Sequence, residues 1–509
     1  MFVFFKTIKQ DLPAGLVVFL VALPLCLGIG LASTSVLGIN GLPNVLSGII
    51  AGIVGGVVVA IFSNSKLGVS GPAAGLITIV LGSIQSLGSF EAFLLALVLS
   101  GLVQIILGFI RFGILANYVP TAVIKGMLAA IGITLILKEI PHLLGYDKDF
   151  FGDESFWQFD GHNTFSELFY ALNAFELGAV IIGILSIFIL IVFDTKWMKK
   201  QQWATYIPGA LVVVLVGIFL NSVLLNNIQL TGKHMVQLPV IHSFSELISI
   251  FNAPDFNLIA APKIWMVAFT IAIVGSLETL LSVEATDKLD PEKQKTDPNR
   301  ELKAQGIGNL VSGLIGGLPV TQVIVRSSAN IAAGAQSKMS AIFHGLLLAV
   351  AVIFLGPILN LIPLAALAAI LILVGYKLAK WSLFVEMYQK GLAQFIPFIA
   401  TILGVLFTDL LKGIAIGIVI AVFYVLKRNY QNHFTLEHTE HQMRMILSEE
   451  VTFLNKGGIM EAIHKAKGKK IIIDASRTKS IDLDVLEALH ELKLNADLAG
   501  QQEIQFINL

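Results

Sequence analysis

Charge and cysteine are the scarce ingredients of this sequence. Only 13% of its 509 residues are Asp, Glu, Lys or Arg, about half the share in soluble domains. The 34 basic and 34 acidic residues cancel to a formal net charge of zero. That leaves no basic surplus for nucleic acid and no basic tail for an anionic surface. The single cysteine, Cys26, excludes a disulfide scaffold and any Cys-based zinc or iron–sulfur site. What the chain has instead is apolar bulk: 56% hydrophobic residues, 45 Gly and 33 Phe, with a mean hydropathy of +0.82. Glycine lets helix backbones approach closely in lipid. The composition is that of an all-α polytopic membrane protein.

The few charges are unevenly spread. Residues 431–509 hold 21 of them and five of the ten histidines, whereas the first 430 residues hold 47 charges. The tail, roughly 27% charged, matches soluble composition and the rest falls far below it. Two domains are expected: a transmembrane domain over 1–430 and a short soluble appendage over 431–509.

A bilayer core of about 30 Å needs about 20 apolar helical residues. Qualifying runs lie at 12–33, 43–62, 91–113, 118–137, 175–194, 205–223, 264–286, 340–358, 361–378, 393–410 and 412–427. Segments 72–84 and 320–335 are too short or too polar to span alone, and 302–317 is glycine-rich and marginal. About fourteen segments result. Lys6 and Lys9 precede the first run, and the clusters at Arg111, 196–200, 288–303, 377–380 and 427–428 follow even-numbered ones. Asp147, Asp149, Asp153, Glu154, Asp160 and Glu167 crowd the loop between the fifth and sixth. The positive-inside bias then places both termini in the cytoplasm, with the protein in the plasma (bacterial inner) membrane. The amino-terminal run has no small-residue cleavage site and reads as a span.

The two short segments are where chemistry is expected. Ser70-Gly71-Pro72-Ala73-Ala74-Gly75 opens the third and Gly316-Gly317-Leu318-Pro319-Val320-Thr321 the tenth. These are matching positions if the chain is two halves of seven spans. Broken spans survive in lipid only when they line a cavity or lie inside protein, and paired ones point to a transporter's binding site. Two half-helices starting near the midplane would offer free N–H groups and positive dipole ends to an anion. Arg326, two turns into the second, would add a full charge. The plainer alternatives are that both Gly-Pro pairs are ordinary loops and that Arg326 is an interfacial anchor.

The eighth span carries a carboxylate, Glu278, with Ser282 one turn along the same face. A charge there is costly and points to function. The pair could hold Na⁺ with backbone carbonyls, or Glu278 could take up H⁺; a buried ion pair with Arg326 is the structural alternative. Glu284 and Asp287 are expected to be solvated at the cytoplasmic end. Asp409 marks the turn before the last span. His344 reads as a hydrogen-bonded packing residue. Lys125 and Lys138 read as snorkelling side chains. Pro24 is expected to kink the first span, with Cys26 buried beside it.

Gly275-Ser276-Leu277-Glu278-Thr279-Leu280-Leu281-Ser282 and Asn299 to Asn309 resemble the sulfate permease (SulP) family of inorganic anion transporters. The resemblance continues through Gly316-Gly317-Leu318-Pro319 to Arg326-Ser327, Ser70-Gly71-Pro72 and Ala22-Leu23-Pro24, covering nearly the whole chain. It implies a 7+7 inverted repeat split into core and gate domains, an anion between the starts of spans three and ten, and a C-terminal STAS domain. Lys469 to Ser476 read as a strand and loop, Leu483 to Leu494 as an amphipathic helix and Ile504 to Leu509 as a last strand, a shortened STAS-like module. Ser476 falls where bacterial relatives carry a regulatory phosphorylation site. Glu278 matches the family's span-eight carboxylate and Arg326 its span-ten arginine. Ser282 matches a hydroxyl of sodium-coupled bicarbonate members. Ala73, Val323 and Ile324 stand where those members have Thr, small and hydroxyl residues, and Leu25 replaces a polar residue. Thr321 to Asn330 resemble the bacterial branch associated with carbonic anhydrase. The family's members are commonly homodimers.

The expected function is secondary active transport of a small inorganic oxyanion, sulfate or bicarbonate, by alternating access. Backbone amides at Ala73, Ala74, Val323 and Ile324, with Arg326, would bind the anion. Glu278 and Ser282 would serve the coupling ion, with Na⁺ or H⁺ in place of any cofactor. An uncoupled channel or exchanger is the alternative, and a nucleobase permease of the same fold a third. No nucleophile–base pair or metal-spaced His/Cys set argues for an enzyme.

Overall fold

The computed structural model describes residues 2–33, 46–148, 156, 163–201, 207–224, 228–238, 240, 251–431, 434–439, 441–466, 469–499 and 503–509. The first residues of the second and seventh expected spans lie outside these, as do Asp149, Asp153, Glu154 and Asp160. The chain divides into two compact units, Met1–Ile418 and Val419–Leu509.

The first unit is helical. Its elements are α1 (Phe2–Ser33), α2 (Ser47–Phe62), β1 (Ser70–Pro72), α3 (Ile77–Leu87), α4 (Phe90–Phe109), α5 (Thr121–Leu144), α6 (Thr164–Asn173), α7 (Leu177–Asp194) and α8 (Gly209–Val223). Then come α9 (Pro262–Leu289), α10 (Pro298–Leu314), β2 (Val320–Gln322), α11 (Ile324–Ala332), α12 (Met339–Phe354), α13 (Gly356–Leu359), α14 (Leu364–Leu378), α15 (Trp381–Gln389), α16 (Leu392–Phe407) and α17 (Leu410–Gln431). Among the described residues seven helical stretches are long and apolar enough to cross a membrane unaided, one of them α14 and α15 together (Leu364–Gln389), and shorter apolar helices such as α2, α3, α8, α12 and α16 accompany them.

Two helices show how packing holds unusual residues. α1 continues through Pro13 and Pro24. Residues 21–30 are buried, so neighbouring helices hold the chain in place where proline removes a hydrogen bond. α10 is a full helix although its hydropathy is marginal. Asp297 caps it by accepting from the Asn299 and Arg300 amides, and Pro298 starts it. Its polar residues Glu301, Gln305, Asn309 and Ser312 are all buried. At spacings of three and four they form one stripe, which is spent on internal hydrogen bonds rather than on water.

In the second unit a four-stranded sheet has the order β3 (Phe434–His438), β4 (Gln442–Leu447), β6 (Lys470–Asp474), β8 (Ile504–Ile507). The β3–β4 pair is antiparallel and the others are parallel. A second, two-stranded sheet pairs β5 (Glu450–Val451) with β7 (Ser480–Ile481). Helices α18 (Lys456–Lys465) and α19 (Leu483–Ala499) complete the unit. Met443, Met445, Ile459, Ile471, Ile473 and Leu489 form its core. The expected strand at 469–476, the helix from Leu483 and the final strand are present; β3, β4 and α18 were not foreseen.

Candidate functional site

The two broken segments come together. β1 pairs antiparallel with β2, with Ser70 opposite Gln322, Gly71 opposite Thr321 and Pro72 opposite Val320. Neither segment is an ordinary loop. Strands two hundred and fifty residues apart can pair this way only if the segments that carry them enter from opposite directions, as an inverted repeat requires. A turn of 3-10 helix at Ala74–Leu76 leads from β1 into α3, and Val323 leads from β2 directly into α11. The half-helices thus start at opposite ends of one strand pair. By register the residues that follow the two strands, Ala73 and Val323, stand four positions apart, about 13 Å at about 3.3 Å per residue.

The start of α11 has no side-chain cap, and Val323 N–H is used by the Val69 carbonyl at 2.9 Å. The first intrahelical bond is from Ser327 N–H to the Val323 carbonyl, which leaves the amides of Ile324, Val325 and Arg326 without an intrahelical acceptor. At the other start, Leu76 N–H reaches the Ala73 carbonyl at 3.2 Å. Ala73 and Ile324 are buried, Val323 is half-buried and Gly75 is exposed.

Glu278 and Arg326 stand at different places on this crossing. Glu278 is buried on α9 with its carboxylate against the first half-helix: a Cβ added to Gly75 would lie 3.1 Å from Oε1. Arg326 is wholly buried, which excludes an interfacial anchor. Its Nη2 donates to the Pro72 carbonyl at 3.2 Å, and a Cβ on Gly71 would overlap Nη1. Gly71 is therefore glycine because the guanidinium occupies the space of a side chain. Nε and Nη1 have no hydrogen-bond partner among the described residues. Cavities of about 290 Å³ beside Gln10, Asp194, Gly334 and Lys377, and of about 220 Å³ beside Leu115, Leu281 and Ile414, lie away from Arg326.

A buried polar network holds the crossing, and sequence reading missed most of it. Asn309 of α10 accepts from Val320 N–H at 2.6 Å and donates to the Val320 carbonyl at 3.0 Å, and it also donates to Gln104 of α4 at 2.7 Å. Gln104 reaches Ser276 of α9. Gln305 donates to Ser70 at 2.6 Å and to Glu301, which also accepts from Ser63. Thr279 accepts from Gln322 N–H at 3.4 Å, and Thr286 from the Gln322 side chain at 3.0 Å. The signal for this set was the polar spacing in α10 and α9.

The remaining polar residues are settled by their contacts. Ser282 is buried on the Glu278 face, and its carbonyl accepts from Thr286 at 2.6 Å. Asp287, expected to be solvated, accepts from Thr296 N–H and hydroxyl at 2.7 and 2.8 Å. Glu284 pairs with Lys288 at 3.3 Å. Lys138 is buried 3.8 Å from Glu167, and Lys125 pairs with Glu386 at 2.6 Å; neither snorkels freely. Asp409 lies between α16 and α17 and accepts from Lys412 N–H. Among the described residues no group of three or more His, Cys, Asp or Glu could hold a metal ion.

Residues 8–401 match the sequence profile of the sulfate permease family. A provisionally assigned sulfate transporter of Bacillus subtilis, YvdB, is 29% identical over 82% of this chain and 74% of its own. The bicarbonate transporter BicA of Picosynechococcus is 23% identical over 83% of this chain and 71% of its own. Among solved structures, the transmembrane domain of a cyanobacterial BicA covers 82% of this chain and 98% of its own at 21% identity, with a TM-score of 0.55. SLC26A9 covers 99% of this chain and 85% of its own at 16% identity, with a TM-score of 0.66. These structures share its fold.

Proposed function

This chain belongs to the sulfate permease family, and from that premise we propose that it carries a small inorganic oxyanion, sulfate or bicarbonate, by coupled alternating access. The relatives are transporters by name, which supports transport over enzymatic chemistry. The observation that carries the reading is the β1–β2 pair, which sets an uncapped half-helix start at each of its two ends, with the buried Arg326 guanidinium against Pro72 at the β1 end. Free amides and a dipole end are an anion site in themselves. The residues assigned to it are Ala73, Ala74 and Ile324 through their backbone amides, and Arg326 through its charge; Val323, expected among them, is corrected, because its amide is spent on the Val69 carbonyl.

Glu278 supplies the coupling. Its carboxylate lies against Gly75 at the first half-helix, so it competes with an anion for the same positive dipole end. A proton on Glu278 removes the competition, as does Na⁺ held between Glu278 and Ser282. The side chains of Val323 and Ile324 add no oxygen, which favours the proton. We further propose a homodimer in the plasma membrane with both termini cytoplasmic, a transport domain over 1–430, and a STAS-like role for the α/β tail over 431–509. Uptake of labelled sulfate and bicarbonate into proteoliposomes, with and without imposed H⁺ and Na⁺ gradients, tests the reading. Accumulation against a gradient supports it. Passive flux set by the anion alone identifies a channel or exchanger instead, and inhibition by uracil a nucleobase permease.

A further inference from the structure

Arg326 carries a full charge at 0% exposure, yet Nε and Nη1 find no partner among the described residues. His344 of α12 is the complementary case. It too is 0% exposed, and neither ring nitrogen is hydrogen-bonded, contrary to its reading as a bonded packing residue. Buried donors and acceptors are rarely left unmade, because each has given up its water.

The two side chains share one locus. The Cα of Gly52, in α2, lies 3.6 Å from where a Gly71 Cβ would stand, the space that Arg326 Nη1 fills. A Cβ on Gly52 would in turn lie 2.7 Å from Cys26 Sγ of α1 and 2.9 Å from Leu348 Cδ1 of α12. Leu348 follows His344 by one turn on the same face. The charge of Arg326 reaches both His344 and Cys26, and the Cys26 thiol also lies within hydrogen-bonding reach of the guanidinium, so the water has this thiol as a neighbour. α2 and β1 bring no charged residue, and the charged residues of α1 lie at its far end, at Lys6, Lys9 and Asp11.

Arginine offers donors only, whereas a neutral imidazole offers one donor and one acceptor. A protonated imidazole would offer no acceptor and would oppose the guanidinium. We propose that His344, as the neutral imidazole, holds the Arg326 guanidinium against β1 through one bound water and is thus a positioning residue for the anion site. Water bridges of this kind serve nearly as well as direct hydrogen bonds, and buried water normally makes about three bonds to otherwise unpaired groups. Arg326 Nε, Arg326 Nη1 and an imidazole nitrogen supply them. This inference rests on the strand crossing being the anion site.

The test uses the full chain in proteoliposomes, with labelled sulfate and bicarbonate as probes. His344→Leu removes both ring nitrogens at similar volume, and His344→Gln keeps a donor and an acceptor. The Leu protein is expected to raise KM for the transported anion about tenfold with kcat within twofold, while the Gln protein stays within threefold of wild type. Wild-type KM in a normally melting Leu protein overturns the inference, as does equal loss in both variants. If the Leu protein does not fold, His344→Met makes the same apolar test against the same readings. Failure of the wild-type protein to take up either anion defeats the proposed function itself, a different result from wild-type uptake that is indifferent to His344.

Discussion

Replacing Glu278 by Gln keeps the shape of the side chain and removes its charge. In the wild-type protein the carboxylate lies against Gly75, at the first half-helix start. An anion held by the amides after β1 would then stand roughly 5 Å away. At an effective dielectric of about 20, two unit charges at that distance repel by about 3 kcal/mol, or about two powers of ten in affinity. Sulfate, a dianion, should therefore bind the wild-type protein with its carboxylate charged at least that factor more weakly than it binds Glu278→Gln, and binding should recover with Na⁺ if sodium is the coupling ion. The Glu278→Gln protein should bind sulfate tightly and independently of pH and Na⁺, while losing uptake driven by either gradient. Equilibrium binding of labelled sulfate between pH 5.5 and 8, paired with proteoliposome uptake, reads both effects. A Gln protein that still concentrates anion with wild-type gradient dependence would refute the coupling role.

Other positions give independent checks. Gly71→Ala drives a Cβ into Arg326 Nη1 and should abolish high-affinity binding while costing about 1–3 kcal/mol of stability, read as a lowered Tm. Asn309→Ala removes both hydrogen bonds that hold Val320, and with two buried backbone groups unpaired it should cost at least about 2 kcal/mol. Uptake should fall with it, and a protein of unchanged Tm and uptake would remove Asn309 from the framework. Asp147 accepts from His142 at 2.5 Å and from His234 at 2.7 Å. Burial alone would raise its carboxyl, but these hydrogen bonds hold it below the usual range. A carboxyl depressed in the folded state stabilises above its unfolded value of about 3.9 and loses that contribution as the pH falls further. Wild type should thus melt above Asp147→Asn at pH 7, with the gap closing below about pH 4.

Much of this architecture was legible in the order of residues. Runs of apolar residues with basic clusters at every second boundary marked the helices, and Gly-Pro pairs marked the two interruptions, because lipid tolerates few other patterns. Glu278 and Arg326 stood out for the same reason. The pairing of Ser70–Pro72 with Val320–Gln322 was not legible. Each strand is three residues long, too short to carry an alternating signal, and the pairing depends on contacts across two hundred and fifty positions. The polar stripe of α10 lowered its hydropathy and disguised a helix whose hydrogen bonds are all internal. The β3–β4 hairpin escaped notice because alternation over five or six residues in a charged tail is a weak signal.

The most direct measurement is an anion-bound structure of the protein in lipid, with selenate as a heavy stand-in for sulfate. Density within hydrogen-bond reach of the amides that follow β1, close to Arg326 and weakened in Gly71→Ala, is the predicted result. Selenate density elsewhere, with the strand crossing closed and unoccupied while transport remains active, would contradict it.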